Sequence, residues 1–200
     1  MATVTPPPHS PVNNLPNQLT ASRLVLALIL FVLIGLAQWI ACVVVFAVAA
    51  VTDWLDGYYA RKHNITSSLG RNLDPLVDKV LICGAYIFLQ AVDGSGLVPW
   101  MVTLVVAREL IITSLRGYLE SAGATFGADW LGKIKMVLQC AALFGIFVAL
   151  QVHASGAEAL RGGFDLLRDI LVYAMLAATA LSGLQYLWRA ALLLRTEPEA

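Results

Sequence analysis

Six hydrophobic stretches, near residues 18–37, 39–62, 68–92, 97–120, 130–152 and 166–194, occupy most of this 200-residue chain. Each approaches the roughly 20 residues that a helix needs to cross a bilayer. Polar interruptions fall at Gln38-Trp39, at His63-Asn64-Ile65-Thr66-Ser67, at Asp93-Gly94-Ser95-Gly96, from Ser121 to Asp129, and from His153 to Asp165. With 59% of residues hydrophobic and 13% charged, the composition lies outside the soluble range. The expected fold is therefore all-α and integral to a membrane, with six transmembrane helices in one domain over 15–196. Residues 1–14, rich in Pro, Ser, Thr and Asn, read as a flexible tail, and 197–200 as a short C-terminal tail. The first apolar run, Leu24 to Ala37, is as short as that of a signal peptide. No basic residue precedes Arg23 and the run passes almost directly into the next, so a retained first helix is expected.

The basic residues give an orientation. Arg23, Arg61, Lys62, Arg71, Lys79, Arg116, Lys133, Lys135, Arg189 and Arg195 fall toward one side of the six spans, and Arg161 and Arg168 toward the other. By the positive-inside rule both termini are cytoplasmic. Overall, 13 basic residues balance 13 acidic ones, which leaves no footprint for nucleic acid. Cys42, Cys83 and Cys140 lie singly in apolar segments and read as small core residues rather than metal or redox groups. The three histidines are scattered, and only His63 lies near the features described next.

Acids in such a chain need a reason. Asp53, Asp56, Asp74 and Asp78 stand where the second and third stretches meet. A carboxylate at the centre of a membrane helix costs about 2.5–3.5 kcal/mol on insertion scales, so four cost on the order of 10 kcal/mol unless neutralised. Divalent metal is the natural neutraliser, and carboxylate oxygens select hard cations such as Mg²⁺ or Mn²⁺. Asp53, Asp56, Gly57, Ala60, Arg61 and Asn64 follow the spacing of one helical face, and Gly70, Asp74 and Asp78 recur every fourth residue on the next helix. Two acidic pairs on facing helices can converge on one pocket. The small residues on those faces leave room for a bulky ligand, and Arg61 brings a cation for an anionic group.

The pattern Asp-x-x-Asp-Gly-x-x-Ala-Arg, eight residues, then Gly-x-x-x-Asp-x-x-x-Asp resembles the signature of the CDP-alcohol phosphatidyltransferases, with every defining position filled. A second constellation lies in the fourth and fifth stretches. It comprises Ala107-Arg108-Glu109-Leu110, with Arg108, Ile112 and Arg116 on one face and Glu109 and Thr113 beside them, then Gly132-Lys133-Ile134-Lys135. Intramembrane ionisable residues of this kind mark a site. Arg108, Arg116, Lys133 and Lys135 suit a phosphate that is bound rather than transferred. The plainer alternative has Arg108 paired with Glu109 and the lysines on lipid headgroups. Both segments, and the opening Asn14-Leu15-Pro16-Asn17-Gln18-Leu19-Thr20-Ala21-Ser22-Arg23, resemble those of bacterial phosphatidylglycerophosphate synthases. The likeness weakens over the last loop and final span, and Met136 stands where many relatives carry a small polar residue.

The resemblance implies transfer of a phosphatidyl group from CDP-diacylglycerol to sn-glycerol 3-phosphate, with release of CMP, by a homodimer at the cytoplasmic face of the inner membrane. It implies two Mg²⁺ or Mn²⁺ ions held by Asp53, Asp56 and Asp74 and bordered by Asp78, which also serves as general base. Gly57, Ala60, Arg61 and Gly70 would receive the cytidine diphosphate, with Asn17 and Thr20 reaching it from the first helix. Within the same family, inositol phosphate, serine or phosphatidylglycerol are alternative acceptors. A cation transporter is the alternative outside it, although the acids gather at one face with no acidic path and no inverted repeat.

Overall fold

A computed structural model of the chain describes the backbone of residues 15–63, 68–121 and 130–196 and the side chains of 21–52, 76–119, 121 and 130–192. The described residues form six helices: α1 Leu15–Gly35, α2 Trp39–His63, α3 Ser68–Gln90, α4 Pro99–Ser121, α5 Trp130–Ala154 and α6 Glu158–Thr196. The first five follow the apolar stretches closely.

The sixth departs from expectation. The interruption expected from His153 to Asp165 shrinks to Ser155-Gly156-Ala157, and α6 runs 39 residues from Glu158. Charge does not stop this helix because the charges satisfy one another. Arg161 pairs with Glu158 at 3.7 Å and Arg168 with Asp165 at 2.8 Å, both one turn apart, while His153 of α5 meets Asp165 at 3.0 Å. The chain reverses at Gly156, whose φ of 72° favours a residue without a side chain.

Each helix contributes one buried stripe at helical spacing. Ala27, Leu30 and Ile34 of α1 meet Cys42, Phe46 and Ala49 of α2, Leu81, Ala85 and Leu89 of α3, and Leu143, Ile146, Phe147 and Leu150 of α5. Phe46 lies edge-on to Phe144 and Phe147, with ring centroids 5.0 and 6.1 Å apart. Phe31 stacks on Phe88 at 5.0 Å, and its ring fills the space a Cβ at Gly84 would occupy, so α1 and α3 approach closely there. α5 packs along α6, α4 packs on α6 and α3, and α2 reaches α5.

The outside is as apolar as the inside. Val25, Leu28, Val32 and Leu36 of α1, Ile40, Val44, Val48 and Val51 of α2, and Leu181, Leu184 and Trp188 of α6 are all exposed. Continuous apolar stripes facing outward suit lipid and not water. Among the described residues, α5 and the Glu158–Leu192 part of α6 are long and apolar enough to cross a membrane, and Ala21–Gly35 and Trp39–Thr52 are shorter apolar helices. The chain is a helical membrane protein.

The α1–α2 turn carries a local strain that can be tested. Gln38 N–H bonds Leu33 O and Ala37 N–H bonds Ile34 O, each at 3.0 Å, the hydrogen-bond pattern of a Schellman cap. Ala37 occupies the left-handed position with φ 52°. An L-residue there costs about 1–2 kcal/mol relative to its ordinary conformation. Ala37→Gly is expected to stabilise the protein by about 1 kcal/mol, read as a higher midpoint of thermal unfolding in detergent. An unchanged or lower midpoint would contradict the assigned turn.

Candidate active site

α2 and α3 carry the acidic motif on their adjoining ends. The backbone at Asp53, Asp56, Gly57, Ala60 and Arg61 is helical within α2, and that at Gly70 and Asp74 within α3; Asn17 and Thr20 belong to α1. The side chains of these residues lie outside the described ones, as does Asn64 altogether. Asp78, the last acid of the motif, has a described side chain. Arg23 Nη1 donates to its Oδ1 at 2.6 Å, with the arginine side chain 4% exposed and the aspartate 33%. A buried guanidinium thus fixes one carboxylate oxygen and offsets its charge, while a third of the side chain stays accessible.

This pairing also sets a register. Arg23 stands opposite Asp78, and Phe31 opposite Gly84 and Phe88, so α1 and α3 run parallel. The same holds for α4 and α6, where Arg108 meets Ser182 and Arg116 meets Tyr186.

The basic constellation is organised around one acid. Glu109, 7% exposed, accepts from Lys135 of α5, from Arg108 Nη1 at 3.3 Å and from Gln139 Nε2 at 3.4 Å. Lys135 and Gln139 stand four apart on α5, hence on one face of that helix. Gln139 is itself fixed, since its backbone oxygen accepts from the buried Tyr86 hydroxyl at 2.9 Å. Arg108 also donates through Nη2 to Ser182 Oγ of α6 at 3.1 Å. Two cations share one carboxylate, so the cluster keeps a surplus of positive charge in a water-poor setting, where charge acts strongly. Thr113 donates to Glu109 O at 2.6 Å and so satisfies its hydroxyl on its own helix.

Of the four cations singled out from sequence, the structure joins Arg108 and Lys135 through Glu109 and sets Arg116 against Tyr186 of α6. Lys133 is exposed whereas Lys135 is buried. Residues two apart on a helix point to different sides, so these two lysines do not share a face. The plainer alternative for Arg108 is realised in part: it does touch Glu109, and Lys135 does so as well. Sequence reasoning gave Arg23 and Glu109 no part in binding, beyond the alternative of Glu109 as a partner for Arg108, and gave Gln139, Ser182 and Tyr186 no role. The signal for the first two was present, since each is an ionisable residue inside an apolar stretch; Ser182 and Tyr186 carry no such mark.

Comparison with known proteins gives one family. Residues 13–182 match the family CDP-alcohol phosphatidyltransferase. A Bacillus subtilis (strain 168) protein named CDP-diacylglycerol–glycerol-3-phosphate 3-phosphatidyltransferase is 36% identical over 189 residues, covering 86% of this chain and 93% of its own. A Rickettsia typhi protein of the same name is 31% identical over 179 residues, with 88% and 96% covered. A Yersinia pestis protein, again of that name, is 33% identical over 138 residues, with 66% and 76% covered.

Proposed function

The chain belongs to the CDP-alcohol phosphatidyltransferase family, and on that premise we propose that it transfers the phosphatidyl group of CDP-diacylglycerol to sn-glycerol 3-phosphate. The products are phosphatidylglycerophosphate and CMP. The observation that carries this reading is the near full-length likeness to relatives whose name specifies that one acceptor, in a chain with every position of the acidic signature filled.

The donor set fits hard divalent cations. It is carboxylate oxygen throughout, and Asp78 keeps accessible surface while Arg23 holds one of its oxygens. Asp53, Asp56, Asp74 and Asp78 would hold Mg²⁺ or Mn²⁺, two ions in number, which would supply charge neutralisation at the diphosphate and at the departing CMP. The remaining chemistry belongs to the side chains. As the motif's resemblance implies, Gly57, Ala60, Arg61 and Gly70 would receive the cytidine diphosphate. Carried toward their N-termini, the parallel α1 and α3 reach Thr20 and Asn17 on one helix and Asp74 and Gly70 on the other, which favours contact of both with the same ligand. Arg108, Arg116 and Lys135, with Lys133 at the exposed edge, bind the acceptor's phosphate. Asp78 takes the proton from the acceptor hydroxyl as its oxygen bonds the phosphatidyl phosphorus and the bond to CMP breaks.

In this reading the six helices all span the inner (cytoplasmic) membrane, both termini and the site face the cytoplasm, and two copies form a homodimer among membrane lipids. Exposed aromatics support the placement: Tyr118, Trp130 and Trp188 lie toward the end of the bundle that carries the motif and Trp100 toward the opposite end, as interfacial belts require.

The test is release of CMP by the purified protein in detergent. Turnover is expected with CDP-diacylglycerol and glycerol 3-phosphate, to vanish in chelator and to return with Mg²⁺ or Mn²⁺. Release with serine, inositol phosphate or phosphatidylglycerol in place of glycerol 3-phosphate would reassign the acceptor. Full turnover in metal-free chelator would remove the cations from the mechanism.

A further inference from the structure

One face of α6, made of Thr179, Ser182, Gly183, Tyr186 and Ala190, is buried, and Ser182, Gly183 and Tyr186 on it meet α4. Ser182 and Gly183 follow Thr179 by three and four residues, Tyr186 by seven and Ala190 by eleven, so one side of the helix carries them all. This face is unlike an ordinary apolar seam, because two arginines of α4 lie on it. Arg108 Nη2 donates to Ser182 Oγ at 3.1 Å, and Ser182 in turn donates to Thr179 O at 3.1 Å. A Cβ at Gly183 would stand 3.3 Å from Arg108 Cγ, so the glycine lets the arginine stem lie against α6. Arg116 Nη2 donates to the Tyr186 hydroxyl, and the Tyr186 ring has Arg108 Cζ at 5.9 Å and Arg116 Cζ at 5.2 Å from its centroid.

Two features point to a ligand. Arg108 Nε is buried and meets no acceptor among the described residues. Among those residues Arg116 is also paired with a neutral phenol and with no carboxylate, so its charge is held in place without being cancelled. An aromatic face and a hydroxyl are suited to this, since they attract a guanidinium while leaving its positive charge for an incoming anion.

We propose that Tyr186, with Ser182 one turn before it, is a positioning residue that holds Arg108 and Arg116 together as a two-pronged receptor for one phosphate monoester dianion, that of the acceptor. The inference rests on the reading of the acceptor given above and extends it to α6. Tyr186 lies past residue 182, where the match to the family model ends. The preset pair raises affinity because the two side chains lose little freedom when the phosphate arrives.

The experiment compares the full-length protein with Tyr186→Phe and Tyr186→Leu. Phenylalanine keeps the ring and the packing but loses the hydroxyl, so the acceptor KM should rise about threefold to tenfold; leucine loses both and should raise it about tenfold to a hundredfold. In both, kcat and the KM for CDP-diacylglycerol should stay within about twofold of wild type. In a double-mutant cycle, Arg116→Gln with Tyr186→Phe should raise the acceptor KM no further than Arg116→Gln alone, because each removes the same bond. Direct binding of inorganic phosphate to the purified protein should weaken in the same order. An unchanged acceptor KM and unchanged phosphate affinity in Tyr186→Leu would overturn the proposal. So would additive effects in the cycle, or a loss of kcat that tracks a fall in melting temperature, which marks a merely structural side chain. A wild-type protein that ignores glycerol 3-phosphate would overturn the acceptor instead, while the inorganic phosphate series still decides the role of Tyr186.

Discussion

Asp78→Asn is expected to lower kcat by about two to four orders of magnitude, the range a positioned general base contributes, while both substrates still bind. Asparagine keeps the shape of the side chain and an oxygen that can accept from Arg23, so the link between α1 and α3 at 2.6 Å survives and the protein still inserts and folds. On the proposed mechanism, what is lost is the group that takes the hydroxyl proton and one carboxylate of the proposed cation set. Saturation curves for each substrate in detergent separate the cases. A fall in kcat with both KM values within a few-fold fits a base acting at the reacting oxygen. A wild-type kcat, or a change confined to the acceptor KM, would remove Asp78 from the proton transfer and leave it as a partner for Arg23.

The second large effect is on stability. Glu109→Ala should cost about 3–5 kcal/mol, because it leaves buried cations without their anion. The side chains concerned are nearly inaccessible, with Glu109 9%, Lys135 8% and Arg108 11% exposed. Removing the acid alone strands Lys135 and deprives Arg108 of one of its two acceptors. Removing the acid and the lysine together, as Glu109→Gln with Lys135→Met, should therefore destabilise less than Glu109→Ala alone, since glutamine still offers an oxygen to Arg108 and methionine fills the lysine's volume. Thermal unfolding of the two variants in one detergent gives the comparison. Equal losses in the single and double variants would mean that the three charges are solvated separately and that Glu109 organises nothing.

The chain's local and periodic features were legible in the sequence. All six helices could be read from apolar length, because in lipid a segment must satisfy its own backbone and therefore becomes a helix whatever its neighbours are. The acidic motif was equally legible, since its spacing places its members on helix faces without reference to any other part of the chain. The start of α6 was not. Charges from Glu158 to Arg168 look like a break until their partners are known, and those partners include His153 on α5 and the carbonyl of Gly94, to which Arg168 donates at 2.6 Å.

The site divides in the same way. That Arg108, Glu109 and Lys135 were ionisable residues in apolar segments was visible in one dimension, and it was enough to mark them. Which of them meet was decided only in three dimensions. Arg23 and Asp78 are 55 residues apart, Lys135 and Glu109 are 26 apart, and Arg116 and Tyr186 are 70 apart. Helical spacing says nothing about such pairs, because it fixes direction around one axis and not the register between two. The packing of α1 on α3 and of α4 on α6 supplies that register. It turns an aspartate of the motif into one held by arginine, and brings a tyrosine with no mark in the sequence beneath two arginines.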